Sequence, residues 1–167
     1  MNAEIQREIN DLVKKVAGLS GVTKRERDKI LATAAKPLQG AIAGAAPKSA
    51  KPHSRYDTPK ISGKIKAPKG QGRIVATYQP GNLKKSISVL RFRHSLAVFI
   101  GPKVDKTGAG KMPDGYYAHM VNSGTKHSSP RRFVEAGVGI AGNTAKSIAI
   151  RLLKQKIEAY AAQNNLK

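Results

Sequence analysis

The chain has 167 residues, enough for one domain with a real core, since a chain near this size buries roughly 70% of its unfolded surface. It carries 31 Lys+Arg against 10 Asp+Glu, a formal charge of +21, where a magnitude of about 2–8 keeps a small domain soluble. The excess favours a polyanion nearby, whether nucleic acid, an acidic protein face or an anionic membrane, and the absence of Cys excludes disulfides and thiol chemistry and suits a reducing compartment.

Residues 2–17 place Ile5, Ile9, Leu12, Val13 and Val16 at helical spacing, and Gly18, Ser20 and Gly21 stop that helix. The opening MNAEIQREINDL lacks the basic and apolar regions of a signal peptide, so a cytoplasmic product is expected. Thr23-x-x-Glu26 has the form of a capping box. A second helix is expected over about 24–45, with Ile30, Ala34, Leu38, Ala41, Ile42 and Ala45 as its apolar stripe and a kink or break at Pro37. The Ala-rich end, Ala41–Ala46, offers a smooth surface on which another backbone can pack closely.

Residues 47–73 intersperse eight Lys and Arg with Pro, Gly and Ser, and Asp57 is their only acid. They read as a long basic loop, mobile in isolation, with at most a short extended piece at Lys60–Ala67. Ile74–Tyr78 reads as a strand, Pro80-Gly81 as a turn, and Asn82 as the cap of a short helical turn at Leu83–Ser86. Ile87–Arg93 and Leu96–Val104 read as two strands joined at His94–Ser95. Lys103–Asp114 is a Gly/Lys loop, and Tyr116–Ser123 a helix ended by Gly124. Phe133–Ala136 begins or precedes another helix. Asn143–Ala162 is the final one, with Ile148, Leu152, Ala159 and Tyr160 as buried candidates. The fold class is α+β: N-terminal helices, a small antiparallel sheet with a long basic loop, and a C-terminal helix, in a single domain over 1–167.

No catalytic set can be assembled. The acids are scattered, and Asp105, Asp114 and Glu135 read as solvated loop charges. His119 and His127 could approach across the Gly124 corner, but Cys is absent and few acids stand near, so no metal and no cofactor is expected. The glycine-rich pieces at 70–72 and 108–111 lack a phosphate-loop pattern. The cations are the stronger signal: Lys60, Lys64, Lys66, Lys69 and Arg73 in the basic loop, then Lys84, Lys85, Arg91, Arg93, Arg131 and Arg132. Two readings stay open for them. They can contact a nucleic-acid backbone, a sequence-independent and salt-sensitive interaction, or form a solvated face that balances an acidic protein.

Five short marks occur in order: Ala46-Pro47; Gly81-Asn82-Leu83-Lys84-Lys85-Ser86-Ile87; Val98-Phe99-Ile100-Gly101; Tyr117 to Thr125 (YAHMVNSGT); and Arg132-Phe133-Val134-Glu135-Ala136. With them the chain resembles the HK97 gp10-like family of tailed-phage head–tail joining and tail-completion proteins. Asn122 stands where that pattern usually has Glu, and both prolines of the last mark are replaced. The resemblance makes Gly81, Leu83, Ser86, Ile87, Tyr117, Ala118, Gly124, Thr125, Phe133 and Ala136 fold-supporting positions. It implies a non-enzymatic virion protein, assembled in the host bacterial cytoplasm, that forms a homo-oligomeric ring at the head–tail junction. Its expected neighbours are the portal-connector or adaptor and the tail terminator or tail tube, with the DNA backbone in the channel and no membrane. The alternative is a stand-alone basic nucleic-acid-binding protein of ribosomal or nucleoid type.

Overall fold

The computed structural model describes residue 7 and residues 23–57, 60–61, 65–66, 73–92, 97–104 and 113–163. The helix expected over 2–17 lies outside them except for Arg7, which is helical and exposed. The fold is α+β. Its elements run α1 (Lys24–Ala45), β1 (His53–Asp57), β2 (Lys60–Ile61), β3 (Ile65–Lys66), β4 (Arg73–Tyr78), α2 (Asn82–Ser86), β5 (Ile87–Arg91), β6 (Val98–Pro102), α3 (Ala118–Ser123) and α4 (Phe133–Gln163). They gather into two compact units.

The first unit holds α1, α4 and most of β5 and β6. The Thr23 backbone amide donates to Glu26 Oε2 at 3.0 Å, and the Glu26 amide donates to Thr23 Oγ1 at 3.3 Å, which completes the capping box. Helix α1 runs unbroken through Pro37. Proline deprives the Thr33 carbonyl of its helical donor, but Thr33 stands on the exposed side, and the buried Leu31, Ala34, Ala35 and Ile42 hold both halves of the helix in place.

Helix α4 is one element of 31 residues, roughly 46 Å long at the usual rise, where the sequence suggested two segments. It runs antiparallel to α1. Glu26 meets Lys156 at 2.7 Å, Ile30 packs on Leu153, Leu31 and Ala34 pack with Ala149, and Ile42 meets Gly137. A Cβ on Gly137 would stand 2.5 Å from Ile42 Cα, so glycine is what lets the two backbones touch at the Ala-rich end of α1. Val98 of β6 covers the Leu31–Ala34–Ala149 cluster. The face α4 buries is set by Phe133, Gly137, Ala141, Ala149 and Leu153. Of the four expected burials, Ile148, Leu152 and Tyr160 are half-buried and Ala159 is exposed. Strands β5 and β6 pair with each other, and Phe99 on β6 meets Phe92, just past the end of β5, edge to face at 5.2 Å.

The second unit holds β1 to β4, α2 and α3. Here the expected basic loop carries strands. β1 pairs antiparallel with β4, and β2 with β3 through Lys60↔Lys66 and Ile61↔Ile65. The extended piece expected at Lys60–Ala67 is thus a small β pair, and β1 is a strand the sequence did not suggest. The ladder slips between Arg55↔Ala76 and Tyr56↔Ile74, leaving Val75 as the extra residue of a bulge. Strict alternation would put Ile74 on the inner face with Ala76 and Tyr78; the bulge breaks it, and Ile74 is 53% exposed.

Candidate functional site

Asp114 lies at the centre of the second unit with none of its surface exposed. The Tyr78 hydroxyl donates to its Oδ2 at 2.7 Å, and the Tyr116 amide donates to its Oδ1 at 3.1 Å. Arg55 Nη1 stands 3.6 Å from Oδ2, and its guanidinium lies 4.7 Å over the Tyr116 ring. The Asn82 side chain clasps the Asp114 backbone from both sides: Nδ2 donates to the Asp114 carbonyl, and Oδ1 accepts from the Asp114 amide at 3.2 Å. Asn82 Nδ2 also donates to the Tyr117 hydroxyl at 3.3 Å. Asn82 therefore caps no helix; Gly81, at φ 85°, occupies the cap of α2.

The aromatic rings close around this carboxylate. His53 meets Tyr117 edge to face at 5.0 Å and Tyr78 at 5.3 Å, and Tyr116 meets Tyr117 at 5.3 Å. Burial, and then the bond to Asp114, push the Tyr78 phenol up to about 12. Burial also raises Tyr117. The Tyr78 hydroxyl, ahead of Tyr116 and Asp114, holds the Arg55 guanidinium protonated. Tyr78 and Tyr117 therefore stay unionised further into alkali than a free phenol. The arrangement joins β1 and β4 to the 113–117 segment through the Asp114 carboxylate and α2 through the Asp114 backbone, which is the work of an anchor. Among the described residues, no three His, Asp or Glu gather as a metal-binding group, and no helix is long and apolar enough to cross a membrane.

The motif residues mostly occupy buried or geometrically special positions. Leu83, Ile87, Ala118 and Phe133 are buried, and buried Ser86 donates from Oγ to the Leu83 carbonyl at 2.7 Å. Gly124 has φ 78°, and a Cβ there would stand 2.8 Å from both Pro130 N and Ser128 O. Thr125 bridges Ser128. Ala136 is exposed. Of the cations, Lys84, Lys85, Arg91, Arg131 and Arg132 are exposed, and Arg132 adopts φ 44°, unusual for a residue with a side chain. Lys60, Lys66 and Arg73 lie on strands, while Lys64, Lys69 and Arg93 fall outside the described residues.

The Asp114 centre is what sequence reasoning missed. Asp114 read as a solvated loop charge, yet it is the most buried acid described. One local signal pointed to it: Pro113-Asp114-Gly115 is a turn composition, and the bond from the Tyr116 amide to Asp114 is the Asx turn such a triplet favours. Comparison with family models, with curated proteins and with solved structures found no match to the chain.

Proposed function

We propose that this chain is a structural protein of a tailed-phage virion, forming with copies of itself a ring at the head–tail junction around the DNA channel. The observation that carries the reading is a division of labour. The ordered motif residues serve the interior, as Leu83, Ser86, Ile87, Ala118 and Phe133 do, while the cations Lys84, Lys85, Arg91, Arg131 and Arg132 stand exposed. Acids are meanwhile spent internally: Glu26 on Lys156 and Thr23, Asp28 on Lys24, Asp114 on Tyr78 and Arg55. A closed ring of such subunits surrounds its axis with a strong positive field, suited to DNA or to acidic neighbouring rings. Its partners in this reading are the portal-connector or adaptor on one side and the tail terminator or tail tube on the other.

A cryo-EM map of the assembled particle tests this. A ring of this chain at the neck is expected; its absence from particles sinks the proposal. In that case micromolar or tighter binding of DNA or RNA by the lone chain, with a steep salt slope, would favour a free nucleic-acid-binding protein.

A further inference from the structure

We infer that the corner Thr125–Arg131 is a preformed binding surface for a nucleic-acid phosphate backbone, with Lys126 and Arg131 as its cationic contacts and Ser128 and Ser129 as neutral donors. All seven residues are exposed, and none is an acid or a large apolar residue. Exposure on this scale usually goes with a floppy tip, but this tip is fixed. The Thr125 amide donates to the Ser128 carbonyl at 2.9 Å, and the Ser128 amide donates back to the Thr125 carbonyl at 3.2 Å. The Thr125 and Ser128 hydroxyls meet at 3.1 Å, and the His127 amide donates to Thr125 Oγ1 at 3.2 Å. The Arg131 amide donates to the Val121 carbonyl at 3.0 Å, which ties the far end of the corner to α3. Gly124 allows Pro130 and Ser128 to fold over it at a distance no side chain tolerates.

A rigid, exposed, acid-free surface matches phosphate better than protein. Protein interfaces gather apolar and aromatic side chains at their centre, and the corner offers none. Phosphate contacts draw on Lys, Arg and hydroxyl side chains among others, and the corner offers Lys126, Arg131 and its serines, while most of its backbone amides are spent on holding its shape. No described acid pairs with Lys126 or Arg131, so neither must give up an internal partner to bind. Prior rigidity lowers the ordering cost of association. The inference rests on the proposed function only in taking DNA as the nucleic acid, and the corner can be tested without the ring.

The test uses the full chain, a short mixed-sequence DNA duplex and a polyglutamate peptide, followed by fluorescence anisotropy at several salt concentrations. The variant Lys126→Ala/Arg131→Ala is compared with a charge-matched control on α4, Arg151→Ala/Lys154→Ala, both folded by circular dichroism. The corner variant is expected to lose about tenfold in duplex affinity at roughly 50 mM salt, and its salt slope to fall by about 1.8, or 0.9 per lost phosphate contact. The control is expected to change affinity less than about twofold. Equal losses in the two variants would overturn the inference in favour of a diffuse field. Binding of polyglutamate but not duplex would overturn it in favour of an acidic protein partner. A chain that binds duplex through the corner but is absent from particles sinks the ring alone; a chain built into particles whose corner variant binds duplex normally sinks the corner alone.

Discussion

A carboxylate with no exposed surface is tolerable only when its acceptor positions are filled, and Asp114 fills them with the Tyr78 hydroxyl, the Tyr116 amide and the nearby Arg55 charge. Replacing it by alanine leaves that hydroxyl and that amide without their acceptor. Asp114→Ala is therefore expected to lose about 2–4 kcal/mol of stability in chemical denaturation. The tyrosine side of the pair reports in alkali. The folded-state value of Tyr78 is raised from 10.0 to about 12, so its contribution is fully present below pH 10 and fades as pH rises towards 12. Ultraviolet titration of the folded chain should show one phenol ionising last, and Asp114→Asn should bring that phenol down. Little of this centre was legible in the sequence. Tyr78 and Asp114 stand 36 positions apart, and a lone acid inside a Gly/Lys loop looks like any solvated charge until the fold brings the tyrosines over it.

At the scale of elements, features fixed by nearby residues were legible and those fixed by distant ones were not. The capping box needs only Thr23 and Glu26, and it forms as expected. Strand β1, HSRYD, has little apolar content and takes its ladder partner from residues about twenty positions later, such as Thr77 opposite Ser54. The start of α4 contains Gly137, Gly139 and Gly142, which lower helix propensity and made one helix look like two, while Gly137 is what the packing on Ile42 requires. The α1–α4 pair also has an acid-sensitive clasp. The Lys156 ammonium, and then the Thr23 amide and hydroxyl, lower the Glu26 carboxyl from 4.5 to about 2. Its stabilisation is present above pH 4.5 and is lost as pH falls towards 2. Glu26 is exposed to solvent, so the effect should shrink with salt. The difference in melting temperature between the protein and Glu26→Gln is expected to be constant near neutrality and to close over that acid range.

For the molecule as a whole, the charge of +21 is set against few acids, several of them already paired within the chain. Self-repulsion on this scale opposes association of free copies. The isolated chain is expected to sediment as a monomer, or a weakly associating one, at low salt, and to assemble only when salt or a polyanion screens it. A tight ring that forms at low salt and ignores ionic strength would contradict this. The α+β class and the span of α1 were readable from periodicity and punctuation. The division into two compact units was not, because each unit joins stretches far apart in the chain. One closing bond bears on how this chain can be edited. The Gly115 amide donates to the Lys103 carbonyl at 2.7 Å, and Asn82 holds the adjoining Asp114 amide, so Lys103 and Gly115 are pinned together. Lengthening a detour between pinned ends costs only about 0.6 kcal/mol per doubling. A tag or a foreign epitope inserted between Lys103 and Asp114 is therefore expected to leave the tyrosine cluster intact.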